Sequence, residues 1–292
     1  MSNSPAFIGL GAMRCGSTWI ARILEEHPDI YIPTAFKEVH FFDTFYQNPK
    51  VRDERRRWNY EKGIAWYESM FGEARSQQIF GEITPNYLYD EQAPHLIKQH
   101  YPNIKFIVSL RDPVQRAISH MNYVNLNQMG AQEQVGMEFL NRFNDSYGFT
   151  EFSKYSKYLN RYFEVFDRSQ FLIISYNEME TKPLEVSKRI YAFLDVDDVF
   201  EPPSLNQKIN TSSGKKFRIL FAFLRKLRKA LKRHRYLVNV LKKMGLVAVY
   251  RHLTHMNTHS LSERNEDHDL KEFLKNEFEE ERIFLNDLFS YG

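Results

Sequence analysis

Short, wholly apolar runs alternate along the chain with segments whose apolar residues recur at helical spacing. AFIGLG (6–11), QIFGEIT (78–84), KFIVSLR (105–111) and QFLIISYN (170–177) are the runs, and they read as buried strands. STWIARILEEH (17–27) puts Trp19, Ile20, Ile23 and Leu24 at helical spacing, and Pro28 stops it. QAPHLIKQHY (92–101) is a helix closed by Pro102. PVQRAISHMNYVN (113–125) opens with proline at a favoured first-turn position. Residues 136–167 hold one or two further helices, and PLEVSKRIYAFLDV (183–196) another. Apolar strands alternating with helices predict an α/β fold, a parallel sheet covered by helices on both faces. Ligands gather at the carboxyl ends of such strands. The first strand delivers residues 11–18 to that edge, and the run at 105–111 delivers Arg111.

The pattern changes after residue 200. EPPSLNQKINTSSGKK (201–216) is polar and turn-rich, a loop. From Lys215 to His252 there are thirteen Lys/Arg and no Asp/Glu, with apolar residues at helical spacing and a basic opposite face. Such a segment suits an acidic glycan or an anionic membrane surface, or packs on the core with a solvated basic face. Residues 261–289 predict one final acidic amphipathic helix. We therefore expect a single domain over 1–292: an α/β core at 5–200, the loop at 201–216, and helices at 217–292.

Composition changes this picture little. The 292 residues are 42% hydrophobic with a net charge of +3, values of an ordinary globular chain. Cys15 is the one cysteine, so no internal disulfide forms. No Cys/His spacing suggests a metal site, and no metal is expected. No apolar run reaches about 18 residues, and the chain enters its first strand almost at once. A cytoplasmic location is the expectation.

Candidate chemistry begins at GAMRCGSTW (11–19). A glycine-containing turn that opens a helix favours anions through unpaired N–H groups and the helix dipole. Gly11 and Gly16 supply backbone freedom, Ser17 and Thr18 hydroxyls, and Arg14 a permanent charge. An ordinary strand-turn-helix is the alternative. A nucleoside-triphosphatase loop would carry Lys directly before Ser/Thr, which this chain lacks. In KEVHFFD (37–43), Glu38 and His40 at i, i+2 share one side of an extended segment, a setting for a general base beside an apolar wall. A surface loop with two buried Phe is the alternative. GEITPNYL (81–88) puts Glu82 and Thr84 at a strand's carboxyl end. In SLRDPVQRAISH (109–120), Arg111 and Ser119 are fit to bind a second phosphate, unless Arg111 is tied in a structural ion pair.

Taken together, these segments resemble the sulfotransferases that use 3′-phosphoadenosine 5′-phosphosulfate (PAPS). GAMRCGSTW resembles their 5′-phosphosulfate loop, which implies PAPS contacts at Arg14, Cys15, Gly16, Ser17, Thr18 and Trp19. SLRDPVQRAIS resembles their 3′-phosphate motif, with Arg111 and Ser119 in its Arg and Ser places. KEVHFFD resembles the heparan sulfate group, whose Glu acts as the base; Glu38 takes that place, with His40 as helper or alternative base and Asp43 beside them. GEITPNY resembles the family's E-K-T/S-P-x-Y stretch. The resemblance implies a P-loop-like architecture and in-line sulfuryl transfer from PAPS to a carbohydrate hydroxyl or amine, with Glu38, His40 and Arg14 catalytic. It also implies a basic loop over the nucleotide, with Lys208, Asn210 and Lys215 as candidates. Two places depart from the family. Arg14 stands where Lys is usual and acts by charge rather than as an acid, and Ile83 stands where E-K-T-P members carry Lys. A lipid or small-molecule alcohol as acceptor, or a nucleotide-binding module without transfer activity, are the alternative readings. Nucleic acid is not an expected partner.

Overall fold

The four apolar runs become strands within one or two residues of their expected ends. The structure, a computed structural model, describes residues 4–33, 38–43, 59–76, 78–129, 133–206, 213–215, 258–260 and 267–290. The strands are β1 Phe7–Gly11, β2 Ile30–Tyr31, β3 Ile79–Ile83, β4 Lys105–Leu110 and β5 Phe171–Ser175. Of these, only β2 was not predicted, because two residues between Pro28 and Pro33 carry no period; a separate antiparallel pair, Ser213–Lys215 with Thr258–Ser260, places a strand in the expected loop at 201–216 and another in the expected helical region 217–292. The order is β2-β3-β1-β4-β5, with every pair parallel.

Among the described residues the α-helices are α1 Ser17–Glu26, α2 Ile64–Ser69, α3 Ala93–His100, α4 Pro113–Tyr123, α5 Met137–Tyr147, α6 Tyr155–Phe163, α7 Tyr176–Thr181, α8 Pro183–Phe193, α9 His268–Glu277 and α10 Glu279–Ser290. The expected pair of helices within 136–167 is α5 and α6. The six-residue helices α2 and α7 are too short for a hydrophobic period to show. The single acidic helix expected over 261–289 is instead two, because Phe278 leaves helical geometry (φ −112°, ψ 21°) as its ring enters the core.

Alternation along the strands divides the core. Ile8, Leu10, Phe106, Val108 and Leu110 face Tyr87, Tyr155, Tyr158, Leu159 and Tyr162 on one side of the sheet. Phe7, Ile83, Ile107 and Ile174 face Trp19, Ile20, Ile23, Val186 and Ile190 on the other. Each large apolar side chain so buried contributes roughly 1.5–3 kcal/mol against exposure. Ile83 belongs to this second layer and is 4% exposed.

The connections after β1 and β4 leave toward opposite edges of the sheet. That reversal makes a crevice at the carboxyl ends of these two strands. Ala12 N–H donates to the Ser109 carbonyl at 2.7 Å, and Ser109 Oγ donates to the Gly11 carbonyl at 3.2 Å. These bonds hold the two strand ends, and the loops they launch, side by side.

Candidate active site

The turn after β1 is built from backbone conformations that few residues accept. Gly11 (φ 99°) and Gly16 (φ 88°) take positive φ, and Arg14 does so without being glycine (φ 70°). A Cβ on Gly11 would meet the Pro85 backbone at 2.9 Å, and one on Gly16 would meet Met179 Cε at 2.6 Å. A non-glycine residue held in this region costs on the order of 1–3 kcal/mol and marks a functional turn. Gly16 caps α1 with no side-chain acceptor, so the helix brings none of its own to its first-turn N–H groups. Ser17 and Thr18 stand in that first turn, half-buried.

Two predicted loop residues turn inward instead. The Cys15 thiol is fully buried, 3.5 Å from the Tyr155 hydroxyl, and burial raises its pKa. Trp19 is buried in the α1 layer, and its indole N–H donates to the Leu205 carbonyl at 3.1 Å. Trp19 thus ties the 201–206 segment to the helix that opens the cradle.

β4 ends beside this turn and presents the second basic motif. The Arg111 guanidinium lies 4.5 Å from the centre of the Tyr176 ring. Among the described residues no carboxylate pairs with it, so the ion-pair alternative has no support there. Asp112 caps α4, accepting from Gln115 N–H at 2.9 Å, and faces Arg282 at 3.5 Å. One and a half turns into α4, Ser119 Oγ accepts from Arg14 Nε at 3.3 Å. The Arg14 guanidinium also sits 4.7 Å from the Tyr123 ring centre. Burial lowers its pKa, and the nearby charges of Arg111 and Arg116 push the same way. Arg116 itself is fully buried and holds Ser153 Oγ at 2.6 Å. Arg14 and Arg111 thus bring two guanidiniums to neighbouring ends of β1 and β4.

The 38–43 segment arrives at the same edge. Glu38 Oε2 is 3.1 Å from His40 Nε2, and Asp43 Oδ2 is 2.7 Å from His40 Nδ1. One imidazole thus bridges two carboxylates. The contact does not come from an extended segment, as expected from the i, i+2 spacing. His40 takes a left-handed conformation (φ 54°), and that turn brings its ring back to Glu38. Asp43 is nearly buried, with Asn86 Nδ2 at 3.5 Å from Oδ2.

Glu82 supports this segment from below. Its carboxylate accepts from Thr84 Oγ1 at 2.6 Å, Tyr87 Oη at 2.9 Å and Val39 N–H at 3.2 Å. Tyr87 Oη also accepts from Phe41 N–H at 2.7 Å. Burial raises the Glu82 pKa, and the bonds from Thr84 and Tyr87 oppose the rise. The GEITPNY stretch is therefore the floor that sets where Glu38 and His40 stand.

A family model described as "Sulfotransferase family" matches residues 5–202, the span that carries all of these segments. The chain belongs to the sulfotransferase family. It is 29% identical over 211 residues to mouse heparan sulfate glucosamine 3-O-sulfotransferase 5, covering 70% of this chain and 55% of that protein. It is 28% identical over 194 residues to mouse heparan sulfate glucosamine 3-O-sulfotransferase 3B1, covering 65% and 46%. The chain thus spans about half the length of these relatives. Among solved structures, a sulfotransferase from Alicyclobacillus acidocaldarius superposes with a TM-score of 0.58 at 27% identity, over 71% of this chain and 87% of that one.

For a sulfotransferase, the remaining predicted residues stand as follows. Lys208 and Asn210, and the basic stretch from residue 216 to 252, lie outside the described residues. Lys215 ends a short strand, Ser213–Lys215, paired antiparallel with Thr258–Ser260. Among the described residues no helix is long and apolar enough to cross a membrane. Sequence reasoning missed Tyr155, whose hydroxyl donates to the Arg111 carbonyl at 3.0 Å while meeting Cys15. It also missed the ring props, Tyr123 under Arg14 and Tyr176 under Arg111. No local pattern separates these tyrosines from the rest of the 17 Tyr in the chain.

Proposed function

We propose that this protein transfers the sulfuryl group of PAPS to a hydroxyl or amine of a carbohydrate acceptor. The observation that carries the reading is the Glu38–His40–Asp43 chain, held by Glu82 at the same sheet edge as the two basic motifs. A base, a charge-bearing cradle and a second phosphate site in one crevice suit transfer between a bisphosphorylated nucleotide and an alcohol. The relatives named as heparan sulfate glucosamine 3-O-sulfotransferases support a sugar acceptor.

In this mechanism the acceptor oxygen attacks sulfur in line, and the bond from sulfur to the bridging 5′-phosphate oxygen breaks. The electron pair leaves with the phosphate, and N–H groups at the start of α1, with Ser17 and Thr18, stabilise that charge. Glu38 takes the acceptor's proton. His40, fixed by Asp43 on its other nitrogen, holds the Glu38 carboxylate in place. By analogy with phosphoryl transfer, positioning and electrostatics supply most of the acceleration.

The test incubates the protein with PAPS and either a heparan-type oligosaccharide or simple alcohols. Release of adenosine 3′,5′-bisphosphate is followed alongside the mass of the acceptor. Sulfated oligosaccharide supports the reading. Turnover with small alcohols alone would move the acceptor class, and no turnover without bisphosphate binding would remove the function altogether.

A further inference from the structure

Val39 is the one residue between Glu38 and His40, so its two peptide planes set how the carboxylate and the imidazole meet. Side chains hold both planes. The plane shared with Glu38 is held through Val39 N–H, which donates to Thr84 Oγ1 at 3.0 Å and to Glu82 Oε2 at 3.2 Å. The plane shared with His40 is held through the Val39 carbonyl, which accepts from Asn59 Nδ2 at 2.9 Å. We infer that Asn59 is a positioning residue for the proposed base: by fixing the peptide plane that enters His40, it keeps the left-handed turn that closes the imidazole on Glu38. The inference rests on the sulfuryl-transfer reading above and adds to it a residue that none of the four sequence motifs contains.

A non-glycine residue in the left-handed region is strained and persists only where its surroundings over-determine it, and His40 (φ 54°) is such a residue. Asp43 holds its ring, and Asn59 holds the backbone that carries the ring. The sense of the Asn59 amide is fixed in turn. Lys62 Nζ lies 2.7 Å from Asn59 Oδ1, and an ammonium only donates, so the amide oxygen faces the lysine and the nitrogen faces Val39. The same ammonium lies 4.2 Å from the centre of the Trp66 ring on α2. Trp66 in turn stacks on Phe41, with ring centres 6.2 Å apart and planes 26° apart. Asn59, Lys62 and Trp66 thus form a chain of contacts that leaves the 38–43 segment at Val39 and returns to it at Phe41. Without the amide, the Val39 carbonyl loses its partner, and the His40 backbone is free to relax and open the 3.1 Å contact with Glu38.

The test compares the wild-type chain with Asn59→Ala, Asn59→Asp, and Asn59→Ala combined with Glu38→Gln. Asn59→Asp keeps the shape of the side chain and removes the donor. Three quantities are read: kcat with PAPS and acceptor, calorimetric affinity for adenosine 3′,5′-bisphosphate, and the His40 Nε2 signal in 15N NMR. Small misplacements of reacting groups cost up to about a hundredfold, so each single variant at Asn59 is expected to lower kcat by about tenfold or more. Bisphosphate affinity is expected to stay within about twofold, and the His40 signal to move. Because Asn59 acts through Glu38, Asn59→Ala is expected to cost less than about twofold in the Glu38→Gln background. An unchanged kcat, an unmoved His40 signal, or a loss that multiplies fully with that of Glu38→Gln would each overturn the inference and leave the sulfotransferase reading intact. A wild-type chain with no transfer from PAPS would remove that reading, and the His40 signal would then decide whether Asn59 holds the turn. Should Asn59→Ala not fold, Asn59→Asp, which keeps the packing, decides by the same comparisons.

Discussion

Glu38 and His40 are separated by one residue and meet at 3.1 Å because the backbone turns left-handed between their side chains. That geometry leaves Glu38 partly exposed, at 28%, while Asp43 behind the imidazole is 3% exposed. The outer carboxylate is open to solvent, and the inner one holds the ring. General-base catalysis contributes typically about 10²–10⁴ in rate. Glu38→Gln is therefore expected to lower turnover with PAPS and acceptor by about a hundredfold or more while leaving bisphosphate affinity within about twofold. Steady-state rates and calorimetry on the same variant check this, and an unchanged rate would remove Glu38 from the base role. Cys15 and Trp19 are a contrasting lesson at this scale. Both stand in the loop motif, yet their side chains serve the core and the 201–206 segment.

At the scale of elements, the 38–43 segment depends on the end of β3. Val39 N–H reaches both Glu82 Oε2 and Thr84 Oγ1, and Thr84 N–H in turn donates to the Gly9 carbonyl on β1 at 3.0 Å. The segment that carries Glu38, the proposed base, is thereby indexed to the strand that launches the turn at 11–18. Glu82 bears a cost for this position, because burial raises its pKa above the usual carboxylate value. The folded chain then holds the Glu82 proton at pH values where the unfolded chain has released it. Stability from this group is fully present below the ordinary carboxylate range and is lost as pH rises through the raised folded value. Glu82→Gln should flatten that fall, read as the difference in urea midpoint between mildly acidic and neutral buffer. A variant with the same pH slope as wild type would show that Glu82 does not carry the proton. The apolar runs made β1, β3, β4 and β5 legible in advance, since a buried strand announces itself by composition. The tether from β3 to the loop was not legible, because hydrogen-bond partners 43 and 45 positions apart leave no local period.

At the scale of the whole molecule, the C-terminal helices close over the α4 layer. Leu270, Leu274 and Phe278 pack with Val114, Ala117 and Met121 of α4, the helix that carries Ser119. Glu281 is nearly buried on α10 and accepts from Ser156 N–H at 2.9 Å and Ser156 Oγ at 2.5 Å. Residues more than a hundred positions downstream thus back the helix that carries Ser119. Leu274 is fully buried, and Leu274→Ala is expected to cost about 2–5 kcal/mol through lost transfer energy and the cavity left behind. Equilibrium denaturation measures it, and a loss under about 0.5 kcal/mol would mean that α9 is not part of the core.

The sequence by itself determined the parallel α/β layout and which segments reach its functional edge. Wholly apolar runs of five or so residues admit few arrangements other than strands buried on both faces, and their ends place residues 11–18 and Arg111 together. Resemblance then named the chemistry to look for. Only the tertiary structure decided that Arg14 leans on Ser119, that Glu82 is a buried tether, and that His40 closes on Glu38 by a left-handed turn. It also split the last acidic helix at Phe278 and laid its two halves on the core. The physical reason is common to all four. Periodicity records how deeply each residue is buried, whereas a side chain's direction depends on partners that the fold brings from far along the chain.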